Sequence, residues 1–192
     1  MCPSPEWAEF LQTEVLPPLV TGVQLGEHMI EVGPGPGAST DWLRHRVDRL
    51  TVVEMDERAA AELAAKYAGT NVEVVNGDAT ELTFAEGTFD SAGSFTMLHH
   101  VPTVRQQDKL LSEILRVLRP GGVLIGSDSL PSDRLHQFHE GDTYNPIEPA
   151  TLLGRLQTLG YGSLMIRVGQ TLTFTAHKPV PPAGPARPEE AS

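Results

Sequence analysis

The feature that most constrains this chain is the run Gly33-Pro34-Gly35-Pro36-Gly37, set directly behind the apolar segment 28–32. Glycines alternating with prolines support neither a helix nor a strand ladder, so the chain must turn there. The segment before it reads as a buried strand, and residues 39–47 behind it read as a helix. That arrangement opens a strand–helix–strand unit, and the pattern recurs. Residues 50–54 read as a second buried strand and residues 57–67, rich in Ala, Glu and Lys, as a helix. Residues 72–75 read as a third strand, closed by Asn76-Gly77-Asp78. Residues 89–95 form a weaker fourth, because Ser91, Ala92 and Gly93 have little strand propensity. Thr103 caps a helix running to Leu118, with Val104, Leu111, Ile114, Leu115 and Leu118 on one apolar stripe. Pro120-Gly121-Gly122 ends it, and residues 123–126 make a fifth strand. A last helix, 151–159, stops at Gly160, and residues 163–168 and 171–177 read as a hairpin around Gly169-Gln170.

Five strand-then-helix units in series predict a parallel sheet covered on both faces. Residues 5–19 read as a preceding amphipathic helix that Pro17 and Pro18 bring to an end. From Pro179 onward, prolines and the lack of large apolar residues predict a disordered tail. The expected organisation is one domain over residues 1–178, with the first helix as a cap, followed by the tail 179–192. Ligands on such sheets sit beyond the carboxyl ends of the strands, where the strand order reverses. The positions to inspect are therefore 33–37, 54–56, 78–79, 94–100 and 127–128.

Charge narrows the partners. Lys and Arg total 14 against 25 Asp and Glu, a formal net charge of −11, which disfavours phosphate backbones and anionic membrane surfaces. The lone cysteine, Cys2, excludes an internal disulfide or a Cys-based zinc site. No basic start followed by an apolar block is present, nor an apolar stretch of spanning length. The expectation is a cytoplasmic protein without a nucleic-acid or membrane partner, with a homodimer left open.

The glycine turn fits two templates. Gly33, Gly35 and Ala38 match a dinucleotide fingerprint, and Glu54 lies near the distance expected of its ribose-binding acid. That reading would make the chain an NAD(P)-dependent oxidoreductase. However, Pro34 and Pro36 have no N–H, so a loop built to cradle a pyrophosphate would lack two donors. A ligand without phosphate loses nothing by this and needs only close backbone approach.

At this point the motifs resemble the class I S-adenosylmethionine-dependent methyltransferases, in their small-molecule branch. Glu31-Val-Gly33-Pro-Gly35-Pro-Gly37 is similar to that family's first motif, and Val52-Val-Glu54 to its second strand. Gly77-Asp78-Ala79 resembles the adenine turn. Phe89-Asp90 and Ser94-Phe-Thr-Met-Leu-His99-His100 resemble the fourth strand, and Arg116-Val-Leu-Arg-Pro120-Gly121-Gly122 the turn into the fifth. The resemblance covers roughly residues 26–178. It implies an α/β fold: a Rossmann-like, seven-stranded, mostly parallel sheet with helices on both faces and a C-terminal antiparallel hairpin.

The same resemblance implies roles. Glu31 would face the methionine ammonium, directly or through water, and Gly33 and Gly35 would let the backbone pass close to the methionine portion. Glu54 would accept from the ribose hydroxyls. Asp78 would accept from the adenine amino group while the Ala79 amide donates to the ring. Met55 would pack on the adenine face, and Ser94 and Phe95 would offer backbone groups near the amino-acid part. A module that binds S-adenosylmethionine without turnover is the other alternative.

A sulfonium methyl is already activated, so transfer depends chiefly on alignment. A hydroxyl acceptor also needs a base, and His suits neutral pH. His99 and His100, after the fourth strand, and Asp128, at the end of the fifth, are the candidate catalytic groups. His136 and His139 could hold a divalent metal together with Glu140 or Asp142. A lid over the substrate is the favoured reading of that stretch, and no metal is expected. No Asn/Asp-Pro-Pro-aromatic segment follows the fourth strand, which by resemblance disfavours adenine and amide-nitrogen acceptors. The expected partner is a small-molecule methyl acceptor.

Overall fold

Alternate side chains of an extended strand face opposite ways, and a sheet covered on both faces turns that alternation into two separate cores. The computed structural model, which describes residues 4–132, 135, 137 and 143–182, has this design. In β1 (His28–Val32), Met29 packs with Leu11, Val15, Leu16, Leu19, Leu43 and Phe95 on one face. Ile30 and Val32 pack with Leu98, Leu110, Leu111, Ile114 and Phe174 on the other. The remaining strands are β2 (Arg49–Glu54), β3 (Val72–Asn76), β4 (Phe89–Phe95), β5 (Leu118–Asp128), β6 (Gly162–Val168) and β7 (Leu172–His177).

The strands form one seven-stranded sheet in the order β3-β2-β1-β4-β5-β7-β6. The first five are parallel, and β7 lies antiparallel to both β5 and β6. This is the seven-stranded, mostly parallel sheet with a C-terminal antiparallel hairpin implied by the sequence. The strand order reverses at β1, which pairs with β2 on one side and β4 on the other. A crevice is expected at that point.

The helices are α1 (Pro5–Phe10), α2 (Leu16–Val20), α3 (Ala38–Leu43), α4 (Glu57–Lys66), α5 (Val104–Val117) and α6 (Pro149–Leu159). Three sequence expectations need correction. Pro17 and Pro18 do not end the first helix. A π turn, Leu11–Val15, separates α1 from α2, and the Leu16 N–H bonds back to the Leu11 carbonyl. The prolines therefore fall in the first turn of α2, where no N–H is needed.

The second correction concerns α5, which stops at Val117, so Leu118 begins β5, opposite Phe89. The buried stripe of α5 is Gln107, Leu110, Leu111, Ile114 and Val117, whereas Val104 is 50% exposed. Third, the units are not all strand-then-helix: β3 runs to β4 through residues 77–88 without a helix. The expected tail lies outside the described residues from 183 onward.

The lower edge of the sheet is tied by Asp90. Its Oδ2 accepts from the Glu27 N–H (3.0 Å) and the His28 N–H (2.9 Å), and its Oδ1 pairs with Arg119. Gly26 has a φ of +74°, and a Cβ there would run into the Asp90 side chain. Burial raises the Asp90 pKa, but the two amides and Arg119 outweigh it and hold the carboxyl below its usual range. Its stabilising contribution is thus present above the ordinary Asp pKa and is lost as the pH falls through the lowered one. An Asp90→Ala variant should lose about 1–3 kcal/mol, since two amides and a guanidinium are left without their acceptor. Chemical denaturation at neutral pH would read this, and an unchanged midpoint would contradict it.

Candidate functional site

The crevice at the strand reversal opens into a cavity of about 1040 Å³ beyond the carboxyl ends of β1, β2 and β4. Its floor is the glycine turn. Gly33, Gly35 and Gly37 take φ values of +64°, +55° and +87°, a left-handed conformation that a side chain would strain. A Cβ at Gly33 would strike Met97, whereas one at Gly35 would meet nothing within 4 Å. The turn is braced from behind by the end of α4. Tyr67 Oη, with one proton to donate, lies within hydrogen-bond reach of the Gly37 carbonyl (3.1 Å) and Asp41 (3.0 Å), and Lys66 Nζ donates to the Pro36 carbonyl (3.2 Å) and to Asp41 (2.7 Å).

Glu54 and Asp78 stand on the wall beside the turn, together with Met55, which is 72% exposed, and Ala79. Glu54 Oε1 accepts from the Asp56 N–H (3.0 Å), and Asp78 Oδ1 from the Thr80 N–H (2.7 Å), so each carboxylate is aimed by a local turn. Phe95 also lines the cavity, whereas Ser94, 1% exposed, lies behind the wall, its Oγ without a hydrogen-bond partner among the described residues.

Glu31 does not line the cavity. It is fully buried, accepting from the Ser39 hydroxyl on one oxygen and the Thr40 hydroxyl (2.6 Å) on the other. Ser39 itself is a lining residue, so Glu31 reaches the cavity only through that hydroxyl. Burial pushes its carboxyl up to about 7, against the lowering effect of the two hydroxyls.

At the opposite wall the chain leaves β4 through Thr96. This residue is β-branched yet has a φ of +54°, a conformation that costs on the order of 1–3 kcal/mol. Its N–H donates to the Ser127 carbonyl (2.8 Å) and locks the exit from β4 to the end of β5. The single 3₁₀ turn Leu98–His100 follows, and His99 and His100 both line the cavity. Asp128 is 1% exposed and lies behind His99. It accepts from His99 Nδ1 at 2.5 Å, from the His99 N–H at 3.2 Å and from the Ser129 N–H at 2.7 Å. Since a carboxylate only accepts, the imidazole proton in this bond sits on Nδ1, and Nε2 is the basic nitrogen.

The predicted residues thus divide into two groups. Gly33, Gly35, Glu54, Met55, Asp78, Ala79, Phe95, His99 and His100 share one cavity. Glu31, Ser94 and Asp128 stand one layer behind it. Sequence reasoning did not single out Trp7 of α1, Leu11 of the π turn, or Thr96 within the inspected stretch 94–100, all of which line the cavity. It also missed Tyr144 as a neighbour of His99, their rings meeting edge-on at 6.0 Å. No local pattern marks these contacts. His136, His139, Glu140 and Asp142 lie outside the described residues. Among the described residues no Lys or Arg lines the cavity, no cluster of His, Cys, Asp and Glu is suited to a metal, and no helix is long and apolar enough to cross a membrane.

Residues 30–126 match the family described as a methyltransferase domain. A demethylmenaquinone methyltransferase from Beutenbergia cavernae is 32% identical over 135 residues, covering 67% of this chain and 54% of that protein. A ribosomal RNA small subunit methyltransferase A from Methylibium petroleiphilum is 36% identical over 77 residues, 40% of this chain and 29% of that one. The chain thus spans about half or less of the length of these curated relatives. Phosphoethanolamine N-methyltransferase 2 from Haemonchus contortus, solved in complex with S-adenosyl-L-methionine, superposes with a TM-score of 0.67 at 17% identity, covering 81% of this chain and 49% of that one. At that identity the likeness is one of fold.

Proposed function

The chain belongs to the methyltransferase domain family, whose cofactor is S-adenosylmethionine, and from this premise we propose that it transfers a methyl group to a small-molecule acceptor held against the His99 turn. The observation that carries the reading is the convergence on one cavity of the proline-bearing glycine turn, Glu54 and Asp78 on one side and His99 backed by Asp128 on the other. When bound, the cofactor supplies a methyl already activated on a sulfonium. In this reading Glu54 holds the ribose hydroxyls, Asp78 and the Ala79 amide hold the adenine, and Met55 covers its face. Gly33 and Gly35 bring backbone close to the methionine portion, with Ser94 and Phe95 offering backbone groups opposite. Glu31 acts at one remove, setting the Ser39 hydroxyl.

The protein's remaining task is alignment and proton removal. Alignment alone is worth roughly 7–11 kcal/mol in well-organised cases. His99, oriented by Asp128, is the base, which favours an acceptor that sheds a proton, such as a hydroxyl. His100 borders the same space. The relatives that methylate ribosomal RNA give the competing acceptor. The net charge of −11 and a lining without Lys or Arg among the described residues favour the small molecule.

Calorimetry with S-adenosylhomocysteine and with NAD(P) tests the cofactor half, and binding of the dinucleotide alone would reject it. Transfer of labelled methyl from S-adenosylmethionine into a metabolite extract or into ribosomal RNA tests the acceptor half. Label entering only RNA would overturn the small-molecule reading, and binding without any transfer would leave a binding module. A Glu54→Ala variant should bind S-adenosylhomocysteine more weakly by about 1–3 kcal/mol, because two sheltered hydroxyls lose a charged acceptor. An unchanged Kd would remove Glu54 from the site.

A further inference from the structure

We propose that Asn145, backed by Gln107, is the positioning residue that seats His99, a role that rests on reading the cavity as a methyl-transfer site. The turn Leu98–His100 has little internal support beyond the Val101 N–H bond to the Leu98 carbonyl (3.0 Å), and groups from elsewhere in the chain add to it. The Leu98 carbonyl accepts from Gln107 Nε2 (3.0 Å), the His99 carbonyl from the Asn145 N–H (2.7 Å), and the Val101 carbonyl from Asn145 Nδ2 (3.0 Å). Asn145 is therefore a two-pronged fork across the turn, and the turn cannot rotate without breaking both prongs.

The fork is itself held. Its carbonyl accepts from Gln107 Nε2 (2.8 Å), and Gln107 Oε1 accepts from Arg155 (2.9 Å), which is fixed by Asp108 (2.8 Å). Gln107 is fully buried within the apolar stripe of α5, where an aliphatic side chain would pack without needing any hydrogen bond. Its two donor bonds, to Leu98 and Asn145, bring a polar side chain to that place. The residue before the fork, Tyr144, lays its ring against the His99 imidazole. Among the described residues, His99 is thus fixed by β5 through Asp128, by α5 through Gln107, and by residues 144–145. Small displacements matter for a group that must meet a substrate proton, since an error of about 1 Å can cost on the order of 10²-fold in rate.

The test uses the full chain and needs no acceptor. The His99 Nδ1–H proton bonded to Asp128 should give a far-downfield resonance in the proton NMR spectrum, assigned by its loss in His99→Gln. Asn145→Asp keeps the shape but replaces the Nδ2 donor with an acceptor facing the Val101 carbonyl. Gln107→Met keeps the volume in an apolar stripe and removes both donors. In each variant the resonance should shift or disappear. The Kd for S-adenosylhomocysteine should stay within about two-fold, because Glu54 and Asp78 stand on the opposite wall, and the melting transition should remain cooperative. A resonance unmoved in both variants overturns the proposal. Loss of the resonance only together with the fold and with S-adenosylhomocysteine binding, in both variants, overturns it equally, since Asn145 would then serve the fold and not the seat. Calorimetry on the unaltered protein judges the cofactor reading separately, because the resonance is read without any ligand.

Discussion

Asp128→Asn is expected to lower methyl transfer by about 10²–10⁴-fold, the range that a positioned proton acceptor contributes, while leaving S-adenosylhomocysteine affinity nearly unchanged. The carboxylate keeps the His99 proton on Nδ1 and so keeps Nε2 basic. An amide at the same place can offer its own N–H to Nδ1 and reverse the tautomer. The truncation Asp128→Ala should go further and cost stability as well, on the order of 1–3 kcal/mol for each buried donor left without its acceptor. Three donors would then point at an empty space: the His99 N–H, His99 Nδ1–H and the Ser129 N–H. Comparing the two variants separates chemistry from folding. If Asp128→Asn transfers methyl at the parental rate, the pair has no part in proton removal and serves the fold alone.

The second large effect is one of pH on stability, and it comes from Glu31. Burial raises its folded pKa to about 7, against an ordinary value of 4.5. The folded protein therefore holds this proton more tightly than the unfolded chain between those two values. Stability falls as the pH rises through that window and levels off above about 7, a total of roughly 3 kcal/mol at 1.36 kcal/mol per unit. The lowered Asp90 acts in the opposite sense at lower pH, so the clean observable is a difference between two proteins. A Glu31→Gln variant keeps the shape and can still bond both hydroxyls. Its stability relative to the parent should improve by about 2–3 kcal/mol between pH 5 and pH 8. Denaturation curves that run parallel across that range would show that Glu31 ionises in the fold as it does in water.

The parts of the fold legible in the amino-acid sequence are those with a local cause. Apolar runs mark β1 and β2, and the glycine–proline turn that ends β1 fixes where the first crossover begins. Thr103 caps α5 through its Oγ1 to the Gln106 N–H (3.2 Å), and Gly160 ends α6 with a φ of +103°. The misread parts have non-local causes. The prolines at 17 and 18 are tolerated because a π turn re-phases the helix before them. Leu118 leaves α5 because it pairs with Phe89 in the sheet. Val104 has the right spacing for the α5 stripe, but Gln107 holds the buried place because polar partners wait for it there.

The candidate site divides in the same way. Gly33, Gly35, Glu54 and Asp78 stand at or within three residues of strand ends, so their nearness to one another is a consequence of the topology the sequence already implied. The pairing of His99 with Asp128 spans 29 residues and depends on the register that sets Phe95 opposite Ser127. The fork from Asn145 reaches 44 residues back to Val101.

What the amino-acid order determined unaided is where each strand stops and which turn residues stand at its end, because backbone conformation and alternation of apolar side chains act over a few neighbours. Only the folded arrangement decided which of those residues face the cavity, which lie one layer behind it, and which distant amide holds the histidine turn in place. Strand register and packing bring together groups that share no local pattern, and burial then changes how readily a group such as Glu31 carries its charge.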